Sequence, residues 1–110
     1  MSLLKIVVYK TSIGKEPFSK WLLDLDKRTR AIVISRIRRV TLQNFGDCKL
    51  LKGANGVWEL RIDHGSGYRV YFGKDGYTVV VLLIGGDKGS QERDIAKAQD
   101  YWLTYKRSIK

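Results

Sequence analysis

Between Val57 and Ile95 the chain places Glu59, Arg61, Arg69, Tyr71 and Lys88 at spacings that can do chemistry. Strand side chains point to opposite sides in turn. Along Val57–Asp63, Trp58, Leu60 and Ile62 take one side, and Glu59, Arg61 and Asp63 the other. Along Tyr68–Phe72, Tyr68, Val70 and Phe72 face the core, which leaves Arg69 and Tyr71 opposite. Two neighbouring strands thus bring a carboxylate, two guanidiniums and a phenol to one polar face. Lys88, in the loop after a third strand, adds a cation. Such a set suits a phosphodiester. Cleavage by the ribose 2′-OH needs a base near that hydroxyl, cations at the phosphate and help for the leaving 5′ oxygen. Arg69 is expected to hold phosphate oxygens through its planar fork, with Arg61 and Lys88 adding charge. Glu59, beside Arg61, is the candidate base. Tyr71 is expected to stack on a nucleobase or bond to phosphate, and Lys52, in the preceding loop, to reach the backbone. His64 sits in a Gly-rich turn and can act as acid or base near neutral pH. Side chains supply the charge, so neither metal nor cofactor is expected.

A plainer reading stands beside this one. Arg and Tyr on an outer strand face often meet only water. Glu59 can simply pair with arginines, which is worth little on a surface.

Composition narrows the partners. Lys and Arg number 21 against 11 Asp and Glu in 110 residues, a formal net charge of +10. Such an excess favours a polyanion. The opening segment MSLLKIVVYK is too short in apolar residues to span a bilayer or act as a signal, so no membrane role and a cytoplasmic location are expected. Cys48 stands alone, so no intrachain disulfide forms, and with one His there is no Cys/His zinc set. Lys88-Gly89-Ser90 lacks the rest of a phosphate-loop pattern, which argues against a triphosphate site.

These residues need a frame. Leu3–Tyr9 is rich in β-branched residues and reads as a strand. Pro17 suits the first turn of a helix, with Phe18, Trp21, Leu22 and Leu25 at helical spacing. Asp26 is a candidate N-cap for a second helix, with Val33, Ile34, Ile37, Val40 and Thr41 as its buried stripe. Arg28, Arg30, Arg36, Arg38 and Arg39 occupy much of the rest, as a solvated face or an electrostatic grip on structured RNA. That helix is expected to end near Gly46. Residues 47–56 read as a loop. Asp75-Gly76 signals a hairpin, and Tyr77–Ile84 reads as a central strand covered on both faces. Ser90 is the expected N-cap of a last helix, whose packing face is Ile95, Ala98, Trp102 and Tyr105. The expectation is one domain over residues 1–110, of α+β class. Its order is β-α-α-β-β-β-α, a small antiparallel sheet packed by an N-terminal helical pair and a C-terminal helix.

Four segments together carry a family resemblance: Lys49-Leu-Leu-Lys-Gly53, Gly56-Val-Trp-Glu-Leu-Arg-Ile62, Gly67-Tyr-Arg-Val-Tyr71, and Leu83-Ile-Gly-Gly-Asp-Lys88 with Gln91 and Asp94-Ile-Ala-Lys-Ala98. Over nearly its whole length the chain resembles the RelE/HigB superfamily of type II toxins, closest to its addiction-module killer proteins. The resemblance implies a metal-independent mRNA endoribonuclease that acts on the ribosome and inhibits translation. It implies a cognate helix-turn-helix antitoxin, and contact with operator DNA only through the antitoxin complex. The family's Gly-Tyr-Arg arginine falls on Arg69, and its basic residue after the last strand falls on Lys88. Other basic positions fall near Arg61 and Lys52, and Gln91 joins the expected RNA-binding set. Many relatives carry a catalytic Tyr or His near the C-terminus. Here Tyr101 and Tyr105 fall on a packing helix, which leaves the acid and base open. Two other activities remain: a ParE-like toxin that inhibits DNA gyrase by protein binding, and a non-catalytic RNA-binding module.

Overall fold

The apolar run after Asp75-Gly76 becomes the strand around which the sheet is built. In the computed structural model, which describes residues 3–108, the elements are β1 (Lys5–Val8), α1 (Pro17–Asp24), α2 (Lys27–Thr41), β2 (Cys48–Leu50), β3 (Trp58–Ile62), β4 (Tyr68–Asp75), β5 (Val79–Asp87) and α3 (Gln91–Ser108). A single 3-10 turn, Lys88–Ser90, joins β5 to α3. The five strands form one sheet in the order β1-β5-β4-β3-β2. β5 sits between β1 and β4, and all of Val80–Gly86 is buried, as its unbroken apolar pattern requires.

Two expectations about the sheet are corrected. It is mixed rather than antiparallel, because β1 runs parallel to β5 with Val7 opposite Val81. The direction of β1 is set by a partner some seventy residues away in the chain, which its own sequence does not encode. Second, the expected loop 47–56 contains β2, antiparallel to β3 with Lys49 opposite Glu59. Three residues show no usable periodicity; pairing with β3 makes them a strand.

Helix boundaries follow local chemistry. Pro17 opens α1, where a missing N–H costs nothing. Asp26 caps α2 by accepting the Thr29 amide at 3.1 Å, and hydrogen bonding from the Thr29 side chain, then from its amide, holds the Asp26 carboxyl below the usual range. α2 stops at Thr41, before Gly46, as Gln43 turns left-handed at φ 64°. Arg30 leaves the basic stripe, because its Nη2 donates to the carbonyls of Leu23 and Leu25 at 3.2 and 3.1 Å. It thereby satisfies carbonyls at the end of α1 that have no helical partner. Ser90 does not cap through its side chain as expected. Asp87 accepts the Ser90 amide at 3.1 Å, and the Ser90 hydroxyl donates to Asp94.

Helices cover both faces of the sheet. On one, Phe18, Val33 and Val40 pack on Leu60, Val70, Phe72, Val80 and Leu82. On the other, Ala98 and Trp102 of α3 pack with Val57, Tyr71, Val81 and Leu83. A tryptophan lies directly on a strand glycine on each side. A Cβ at Gly85 would come within 2.1 Å of Trp21, and one at Gly73 within 2.4 Å of Trp102. Glycine at these two places lets the helices approach closely enough to bury the Trp102 indole and half-bury that of Trp21, and truncating a buried ring typically costs about 3–5 kcal/mol. α3 therefore closes over the sheet face that carries Tyr71. The expected polar face is not an open one.

Candidate nucleic-acid interface

Cross-strand pairing assembles the polar set. Glu59 of β3 stands opposite Tyr71 of β4, and Arg61 opposite Arg69. Two arginines facing each other need a counter-charge, and Glu59 provides it. Its Oε1 accepts Arg61 Nε at 3.0 Å, and its Oε2 lies 3.4 Å from Arg69 Nε. Gln91, the first residue of α3, donates its Nε2 to the same Oε2 at 2.9 Å. The Glu59 side chain is fully buried, whereas Arg61 is 41 % exposed and Arg69 12 % exposed. The carboxylate thus lies behind the two guanidiniums; a hydrogen bond fixes the plane of Arg61, and charge holds Arg69 beside it. The charge-assisted bond from Arg61 raises that guanidinium's pKa further, so it stays cationic at any working pH.

In front of the arginines lies an open groove of about 280 Å³. Arg61, Arg69 and Lys88 line it, with Asp47, Asp63 and the turn Gly65–Gly67. Lys88 arrives from beyond β5, whose Gly86 pairs with Arg69. The structure therefore brings together three of the cations expected from sequence. A guanidinium pair backed by a buried carboxylate, with a lysine lining the same groove, has the charge and donors to hold phosphate oxygens.

The other expected residues fall elsewhere. Glu59 as an exposed base does not match its position, because both its oxygens are engaged and none of the side chain meets solvent. Tyr71 is also fully buried and has no face on which a nucleobase could stack. Burial, then the nearby Glu59 charge, pushes its phenol pKa upward. Its hydroxyl has no hydrogen-bond partner among the described residues. His64 is half-buried, stacked on Tyr68 at 6.3 Å between ring centroids, and does not line the groove. Lys52 is exposed in the loop after β2 and does not line it either. Gln91 donates to Glu59 behind the arginines and does not line the groove.

Several contributors were not singled out from sequence. Asp47 and Asp63 are the groove's carboxylates. Asp63 could have been found, since it follows Arg61 by two residues on the polar side. Arg36, read as part of a solvated stripe, is buried. Its Nη2 faces the carbonyls of Phe45 and Arg61 at 3.4 and 3.5 Å, and burial lowers its pKa. It ties α2 to the strand that carries Arg61. Asp94 is buried against Gly86, where a Cβ would come within 1.8 Å of its Oδ2. A larger cleft of about 550 Å³ lies between α1 and α3, lined in part by Lys20, Trp21, Lys97 and Tyr101. None of the expected site residues reaches it.

Comparison with known proteins places the chain in a family. Residues 20–103 match the family model described as phage derived protein Gp49-like. A protein of Haemophilus influenzae, described as an uncharacterized protein, is 45% identical over 83 residues, covering 74% of this chain and 82% of that protein. The matched span contains Arg61, Arg69 and Lys88, all of α2, and α3 as far as residue 103.

Proposed function

The chain belongs to the Gp49-like family of phage-derived proteins, a family associated with toxin–antitoxin modules, and we propose that it is the toxin of such a module, a metal-independent mRNA endoribonuclease of RelE/HigB type. The observation that carries this reading is the arrangement of Arg61 and Arg69. They stand side by side across β3 and β4, share one buried carboxylate and face an open groove with Lys88. Two guanidinium forks set side by side beside a lysine suit the oxygens of a phosphodiester.

In the proposed reaction a phosphodiester lies in the groove with its non-bridging oxygens on Arg69 and Arg61. The ribose 2′ oxygen attacks phosphorus, the O2′–P bond forms and the P–O5′ bond breaks. The products are a 2′,3′-cyclic phosphate and a 5′-hydroxyl. Arg61 and Arg69 neutralise the charge that builds on the phosphoryl oxygens, and Lys88 delivers a proton to, or hydrogen-bonds, the departing 5′ oxygen. The proton of the 2′-OH goes to Asp47. This carboxylate lines the groove beside Arg61, whose amide donates to the Asp47 carbonyl at 2.8 Å. Glu59 acts through the arginines, as a positioning residue. Ribosome-bound mRNA is the proposed substrate, and a family-typical antitoxin the proposed inhibitor.

The test is a purified translation system given the wild-type protein or Lys88→Ala. Cleavage of ribosome-engaged mRNA to ends bearing 5′-hydroxyls, slowed at least about 100-fold in Lys88→Ala, supports the assignment. Intact mRNA with wild type, or inhibition of DNA gyrase instead, refutes it.

A further inference from the structure

The groove holds more than a phosphate receptor requires. Three cations answer one phosphate, yet two carboxylates line the same 280 Å³ space. Asp47 has its place beside Arg61. Asp63 has none: its carboxylate is exposed and makes no hydrogen bond or ion pair among the described residues. A free carboxylate beside an RNA backbone repels it. The cost is avoided if Asp63 faces a part of the RNA that donates hydrogen bonds.

Position favours that. Asp63 lies two residues beyond Arg61, just past the end of β3, and lines the same groove, so its carboxylate can meet a nucleotide whose phosphate the arginines hold. The turn beside it keeps the space open. Gly65 and Gly67 adopt φ 58° and 94°, which disfavour any larger residue, so these two positions add no side chain to the groove. Among the four bases, guanine presents two adjacent donors, N1–H and N2–H, that match the two oxygens of one carboxylate. Adenine and cytosine set an acceptor beside their amino group, and uracil offers one N–H between two carbonyls.

We propose that Asp63 is a base-reading residue that selects a guanine next to the phosphate held by Arg61 and Arg69. This deepens the nuclease reading and rests on its placement of RNA in the groove. Binding can be measured without cleavage, which separates the two. The probes are 2′-O-methyl trinucleotides UGU, UAU, UCU and UUU, which carry equal charge and cannot be cut by the 2′-OH route. Equilibrium binding is followed for the full chain, for Asp63→Asn and for Asp100→Asn, a carboxylate removed from the exposed side of α3. Wild type and Asp100→Asn are expected to favour UGU about tenfold. Asp63→Asn is expected to lose that preference, since its amide no longer offers two acceptors. Equal binding of all four by wild type, or a guanine preference that survives Asp63→Asn, overturns the proposal. If Asp63→Asn instead abolishes mRNA cleavage with the preference intact, Asp63 is the proton acceptor and not a reader. Absence of cleavage by wild type, with the guanine preference present, refutes the nuclease and leaves the base-reading site.

Discussion

Replacing Glu59 with Gln removes one charge, keeps the shape and exposes how the site is held. The carboxylate sits with no solvent contact between Arg61 at 3.0 Å and Arg69 at 3.4 Å. Arg61 is well enough exposed to recover hydration. Arg69, at 12 % exposure, cannot. Removing one partner of a buried ion pair costs about 3–5 kcal/mol because the other charge stays buried and uncompensated. The groove beside Arg69 lets in some water, so about 3 kcal/mol is the better figure. A chain of this length gains roughly 230 cal/mol/K on unfolding, which converts that loss to a fall in Tm of about 13 °C. A surface ion pair would be worth at most about 1 kcal/mol, or about 4 °C. Arg61 also loses the charge-assisted bond that fixes its plane, and a displacement of about 1 Å can cost about 100-fold in rate. Thermal unfolding of Glu59→Gln, followed by circular dichroism at neutral pH, decides the matter. A Tm within about 4 °C of wild type refutes the buried clamp.

Tyr71→Phe removes a buried hydroxyl without a partner. It should raise Tm by up to about 4 °C, since an unpaired buried hydroxyl is itself costly, and change the cleavage rate less than about twofold. A loss of activity above tenfold would return Tyr71 to the chemistry. Gly85→Ala would drive a Cβ to within 2.1 Å of Trp21. A calorimetric scan should show destabilisation of about 1–3 kcal/mol or more, and no change would mean that α1 does not seat its indole on β5. Burial pushes the Cys48 thiol up to about 11. At pH 8 iodoacetamide should alkylate it on the order of 100-fold more slowly than a free cysteine, whose pKa is about 8.5. The unfolded chain gives up that proton first, so stability should fall as pH rises from about 8.5 toward 11. Alkylation at the free-thiol rate would contradict this.

Much of the site was legible because strand alternation is a local rule. Glu59 and Arg61 had to share a side, as did Arg69 and Tyr71, whatever the rest of the fold did. The Asp26 cap, the Pro17 helix start and the buried course of β5 were legible for the same reason: each depends on neighbours in the chain. Burial of Glu59 and Tyr71 was not, because it depends on where α3 lands. Ala98 and Trp102 announce that α3 packs, but not against which face. The parallel setting of β1 and the existence of β2 likewise come from partners distant in sequence. Arg36 is the clearest case. As one arginine of five on a helix it looks solvated, and only the approach of residues 45–48 and β3 makes it a buried strap.

The central claim, that Arg69 holds the scissile phosphate of mRNA, is tested most directly by mapping mRNA 5′ ends after induced expression of wild type and Arg69→Ala. The two proteins should be present at equal folded levels. New 5′-hydroxyl ends within translated reading frames, present with wild type and absent with folded Arg69→Ala, are the predicted result. Growth arrest without such ends, or the same ends with Arg69→Ala, would contradict it.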